Sequence, residues 1–164
     1  MKAIALVFSS SLLLLLASCG TAPAKITPPP DPQPQPVSVP KAETGPDSEG
    51  FMTTVSGLRY KVLRAGPGNG ISPTRLDSVT VHYRGTLKDG TVFDSSYDRG
   101  EPTTFGVGQV IRGWTEALQL MKPGDKFLLH IPSYLAYGSR AVGDKIAPFS
   151  DLIFEVELLQ IVGR

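Results

Sequence analysis

The chain has one cysteine, Cys19, in 164 residues. No disulfide can form within it, and a cysteine-rich zinc site is excluded. It has two histidines, His82 and His130. Neither is grouped with other metal-ligating residues, so no structural metal is expected. No block of five or more Lys/Arg occurs and the net charge is +1, so the electrostatic footprint of a nucleic-acid binder is missing. Ser133 and Ser139 have no base at motif spacing, and there is no phosphate-cradling glycine motif and no internal repeat. Covalent catalysis, hydride transfer and phosphoryl transfer find no support, and no cofactor is expected.

What is present falls into three parts. Residues 2–18 read KAIALVFSSSLLLLLAS. A short basic start, an apolar run and small residues at its end describe a secretory signal. The run is shorter than the roughly 20 apolar residues of a spanning helix. An ordinary cleaved signal or an uncleaved anchor is the plain reading. Leu16-Ala17-Ser18-Cys19-Gly20 gives a sharper one, because it resembles a bacterial lipobox. On that reading residues 1–18 are removed, and the Cys19 thiol carries lipid that anchors the chain to a membrane. Each buried methylene adds about 0.8 kcal/mol to such anchoring. Gly20, rather than Asp, follows the cysteine. By resemblance to enterobacterial sorting this favours the outer membrane, with the protein facing the periplasm.

Residues 19–50 include TPPPDPQPQPVSVP at 27–40. Proline fixes φ and removes backbone donors, so neither helix nor central strand fits. A tether in polyproline II conformation is expected, at about 3.1 Å per residue.

Residues 51–164 carry every aromatic side chain except Phe8, so a single core belongs there. Strand-like alternation runs over 57–63, 77–84 (Val79, Val81 and Tyr83 on one face), 126–131 (Phe127, Leu129, Ile131) and 152–161 (Leu152, Phe154, Val156, Leu158). Asp89-Gly90 is a tight-turn signal before Thr91-Val92-Phe93. Only Trp114, Ala117, Leu118 and Met121 follow a helical period, and Pro123-Gly124 ends it. The pattern predicts an α+β fold, a curved antiparallel β-sheet wrapped around one short amphipathic α-helix. His82 and His130 fall on the polar phase of their strands and are expected to face solvent. The aromatics concentrate near loops, which suggests an apolar pocket. Composition and periodicity carry the function no further.

Four blocks do. VHYRGTLKDGTVFDSS (81–96), QVIRGWTEALQLM (109–121), IPSYLAYG (131–138) and LIFEVELL (152–159), in this order and spacing, closely resemble the FKBP family of peptidyl-prolyl cis–trans isomerases. The similarity covers about residues 56–162. The bacterial branch that includes macrophage infectivity potentiator-like proteins is nearest. Those proteins often carry a helical dimerisation arm where this chain has a proline tether, so a monomer is expected.

The resemblance implies a role for particular residues. Trp114 is the floor on which a substrate proline ring rests. Tyr83, Phe93, Phe105 and Phe154 are aromatic walls. Val110 and Ile111 form a rim, with the Ile111 N–H binding a substrate carbonyl, and the Tyr137 hydroxyl binds another. Asp94 sits beside the pocket, held by Arg99 and the Tyr83 hydroxyl. Taken singly, Trp114 and Phe154 read as core, and Asp94 as a turn or cap. The implied substrates are proline-containing unfolded or exported polypeptides, and the implied inhibitors are tacrolimus- and rapamycin-type ligands. The alternative is an FKBP fold that holds client chains without turnover. Two departures from the family pattern stand out. Thr103 replaces a wall phenylalanine of many eukaryotic members, with Phe105 nearby. Ala147 precedes Pro148 where two prolines are common, so the loop from Ser139 to Phe149 is expected to differ in stiffness and to shift substrate preference.

Overall fold

The computed structural model describes residues 45–68 and 70–163. The expected leader, the lipobox with Cys19 and the tether up to residue 44 lie outside the described residues. Among the described residues seven strands are formed: β1 (Met52–Thr53), β2 (Arg59–Arg64), β3 (Ser78–Leu87), β4 (Val92–Ser95), β5 (Thr103–Gly106), β6 (Lys126–Ile131) and β7 (Leu152–Ile161). Two α-helices, α1 (Ser96–Arg99) and α2 (Arg112–Leu120), join them, with 3-10 turns at Val107–Gln109 and Ser133–Leu135.

All pairings are antiparallel, in the order β1-β2-β6-β7-β3-β4, and β5 pairs with β3. β3 and β7 are therefore adjacent interior strands. Their register sets Val156 opposite Tyr83 and Phe154 opposite Gly85. On the other side of β7, Phe154 faces Leu129 and Val156 faces Phe127. Period-two alternation puts all of these on one face, and that face is buried.

The stripe on α2 closes this core. Trp114, Ala117, Leu118 and Met121 are all buried, as the i, i+3, i+4, i+7 spacing requires. At Gly113 the helix meets the sheet, where an added Cβ would lie 2.5 Å from Ile131 Cγ2. After the helix, Asp125 accepts from the Lys122 and Gly66 backbone N–H groups (2.7 and 2.6 Å), fixing the turn into β6.

Two expectations need correction. α1 has no counterpart in the sequence periodicity, because four residues are too few to show a helical stripe. A Ser95 cap that accepts from the Asp98 N–H and a left-handed Gly100 make it. The histidines lie on the outer face of the sheet, as their phase requires, but are half-buried rather than open to solvent. Segments outside the sheet cover them. Phe51 packs on His130 with ring centroids 4.4 Å apart, and Tyr97 of α1 stacks on His82 at 4.7 Å.

Candidate functional site

Residues of α2, β3, β4, β5 and β7 line a cavity of about 670 Å³. Its base is a set of aromatic rings. Trp114 meets Tyr83, Phe105 and Phe154 edge-to-face, with centroids 5.3, 5.7 and 5.2 Å apart. Phe93 meets Phe154 in the same way at 5.3 Å. Each such pair adds about 0.5–1.5 kcal/mol beyond area burial. The indole Nε1 is buried without a nitrogen or oxygen partner.

Backbone detail puts Phe93 in this set. A bulge between β3 and β4 pairs Gly85 with Asp94 and Thr86 with Val92, leaving Phe93 as the extra residue. Its ring lies over Gly85, where a Cβ would come within 2.6 Å of Phe93 Cζ and 2.7 Å of Phe154 Cε1. Glycine there lets two rings share the strand's inner surface.

The polar residues of the site divide into engaged and free. Asp94 is engaged through both oxygens. Oδ2 accepts from the Tyr83 hydroxyl at 2.5 Å, and Oδ1 accepts from Arg99 Nη1. Arg99 Nη2 also donates to the Tyr83 hydroxyl at 2.9 Å and to Thr103 Oγ1 at 3.1 Å. Thr103, the departure from the eukaryotic pattern, therefore binds the arginine. Burial pushes the Asp94 carboxyl up, but the Tyr83 and Arg99 hydrogen bonds outweigh it and hold Asp94 below the ordinary carboxylate value. Burial, with the Asp94 hydrogen bond next, raises the Tyr83 phenol. Asp94 is thus an ionised acceptor at neutral pH, not a proton donor.

Besides the buried indole N–H, the free groups include the two donors that the resemblance assigns to substrate. The Tyr137 hydroxyl has no hydrogen-bond partner among the described residues, and neither has the Ile111 N–H, although the Ile111 carbonyl accepts from Thr115 at 3.0 Å. Both residues line the cavity.

The nine pocket residues read from the sequence (Tyr83, Phe93, Asp94, Phe105, Val110, Ile111, Trp114, Tyr137 and Phe154) all line this one cavity, and Arg99 stands behind Asp94. Gln109 lines it too, as do Val142 to Ile146 at the tip of the 139–149 loop, a loop that the sequence marked as a whole without naming these residues. A signal for the loop existed. Val142 and Ile146 are the only large apolar residues in 139–148, and Ile146 is buried.

An apolar, ring-lined cavity in which the Ile111 N–H and the Tyr137 hydroxyl are unengaged and the Asp94 carboxylate is engaged on both oxygens defines a non-covalent site. It suits a small apolar ring flanked by carbonyl groups. The FKBP-type peptidyl-prolyl cis-trans isomerase profile matches residues 70–159, and the chain belongs to that family. It is 54% identical over 120 residues to the FKBP-type 22 kDa peptidyl-prolyl cis-trans isomerase of Escherichia coli, covering 73% of this chain and 57% of that protein. It is 51% identical over 112 residues to the outer membrane protein MIP of Legionella longbeachae, covering 68% and 47%. The crystal structure of FkpA from Escherichia coli superposes with a TM-score of 0.66 at 48% identity, over 70% of this chain and 53% of that one. A peptidyl-prolyl isomerase structure from Pseudomonas syringae gives 0.62 at 40% identity, over 68% and 80%. The chain spans about half the length of the curated relatives it matches.

Proposed function

We propose that this chain accelerates cis–trans isomerisation of X–Pro bonds in exported polypeptides. The observation that carries the reading is the pairing of a ring-lined cavity with two free donors, Ile111 N–H and Tyr137 O–H. Rotation about a peptide bond costs about 18–20 kcal/mol because amide resonance is lost. Unaided, X–Pro bonds take tens to hundreds of seconds. Water favours the planar, charge-separated amide. A cavity floored by Trp114 and walled by Tyr83, Phe93, Phe105 and Phe154 strips that water away and weakens the preference for planarity. The Ile111 and Tyr137 donors hold the flanking carbonyls, so the twisted amide is bound better than either planar form. No proton moves and no covalent bond forms. Asp94, ionised and engaged on both oxygens, acts by orienting Tyr83 and by its charge.

Lipid on Cys19 places the domain on the periplasmic side of a bacterial outer membrane, at the end of the proline-rich tether, as a monomer. The lipobox and Gly20 support the anchor and its membrane, the proline-rich stretch in place of a helical arm supports the monomer, and one relative is named an outer membrane protein. Tacrolimus- and rapamycin-type ligands fill the same cavity. Their binding quenches or shifts Trp114, the only tryptophan, and raises the melting temperature by mass action.

A proline-peptide isomerisation assay on the full-length chain in detergent tests the activity. Acceleration over buffer is expected, and a rate equal to buffer overturns the reading in favour of a binding module. Cys19→Ala tests the anchor. It should remove the lipid mass and shift the chain out of the membrane fraction, and unchanged mass and fractionation contradict a lipobox.

A further inference from the structure

We propose that Lys145 is a positioning residue for the pocket, whose ammonium ties the tip of the 139–149 loop to the facing wall. The loop is a flap. Its neck is closed by the Phe149 N–H donating to the Gly138 carbonyl at 2.7 Å and the Arg140 N–H donating to the Tyr137 carbonyl at 3.2 Å. Its tip is a reverse turn made by mutual backbone bonds between Val142 and Ile146, at 2.9 and 3.2 Å. Every residue from 139 to 149 is exposed except Ile146. Among the described residues, one hydrogen bond runs from this loop to a different element. Lys145 Nζ donates to the Val92 carbonyl at the start of β4, at 2.9 Å.

The place of that bond matters. Val92 directly precedes Phe93 and Asp94, two lining residues, while Val142, Gly143, Asp144, Lys145 and Ile146 line the cavity from the flap. The bond therefore couples two walls that share no strand pairing. The Lys145 ammonium has no carboxylate partner among the described residues. No salt bridge competes for it, and the bond to the carbonyl is charge-assisted. Without it the tip keeps only the Ile146 side chain as an anchor. The apolar face that Val142 and Ile146 present would then spend more time away from a bound prolyl segment. Substrate affinity would fall while the floor and the two free donors stayed in place.

This inference rests on the isomerase reading for its kinetic consequence but not for its structural one. The test therefore has two arms, on the full-length chain in detergent, with Lys145→Met and Lys145→Arg. The first arm is amide hydrogen exchange at Val142 and Ile146 in the free protein. Lys145→Met should speed it about threefold to tenfold, the loss of one hydrogen bond from an exposed, solvent-screened ammonium, and Lys145→Arg should restore it. The second arm is KM and kcat for an X–Pro peptide. Lys145→Met should raise KM by a similar factor with kcat within about twofold and the melting temperature unchanged, and arginine should again restore it. Wild-type exchange and wild-type KM in Lys145→Met overturn the proposal. So does a loss confined to kcat, which would mean action on the reacting amide instead. If the wild-type chain shows no turnover, the isomerase reading fails by itself. The exchange arm, with the Kd of rapamycin in place of KM, then decides the role of Lys145.

Discussion

On one side of the pocket Tyr83, Trp114 and Phe154 are 4%, 4% and 5% exposed, and they belong to the same buried cluster as Leu118 and Val156. On the other side the 139–149 flap is surface, with Ile146 as its only buried residue. The two sides meet the same ligand space but are built by different means. The floor is positioned by strand register and the helix stripe, so its place is fixed by the energetics of folding. The flap is positioned by a few hydrogen bonds and one apolar side chain. Substitutions in the floor should therefore change stability and activity together. Substitutions at the rim and flap should change activity alone.

The largest effect that sharpens this contrast is expected from Trp114→Ala. It removes a buried indole that contacts three other rings, and urea unfolding should show a loss of about 3–5 kcal/mol. A loss under about 1 kcal/mol would mean that the floor is not core. Asp94→Asn comes next, because Asp94 belongs to neither side. Its carboxylate is partly exposed (43%), so the melting temperature should fall only slightly. Its folded pKa lies below the ordinary value. Its stabilising contribution is complete above that ordinary value and is lost as pH falls through the folded one. The variant should therefore flatten that part of the acid-unfolding curve. If activity falls while the melting temperature holds, the charge acts in the site. If the melting temperature falls and the folded fraction turns over normally, Asp94 only braces Arg99 and Tyr83.

A smaller effect is expected far from the pocket. Burial, and then the nearby charge of Arg59, push His130 below its ordinary value, with Lys88 adding to this and Glu49 and Asp47 opposing it. Folding thus prefers the neutral ring packed under Phe51. That preference stabilises the fold above the ordinary histidine value of 6.5 and is lost as pH falls through the lower folded value. Melting temperatures across this range should drop less for His130→Gln than for wild type, with isomerase activity unchanged.

The two sides also differed in how legible they were. The inward residues of β3, β6 and β7 follow period two over six to ten residues, long enough for alternation to show both the strand and its buried face. The α2 stripe was legible for the same reason. β1, β5 and α1 have two to four residues. No period can show at that length, and local caps and pairing with β2 or β3 decide them. The pocket residues could be gathered only through resemblance, because Trp114 and Phe154 alone read as core and are core. Lys145 was invisible for a further reason. A lysine in a polar loop carries no sign of which backbone carbonyl it will meet.

The account depends most on the claim that Tyr137 offers a free hydroxyl to substrate rather than to the fold. Tyr137→Phe deletes one oxygen and almost no volume. With no partner left unpaired, unfolding free energy should match wild type. The value of kcat/KM for an X–Pro peptide should fall by the roughly 0.5–1.5 kcal/mol of one neutral hydrogen bond, about twofold to twelvefold. Full activity in this variant, or a loss of stability that accounts for the lost activity, would contradict the account.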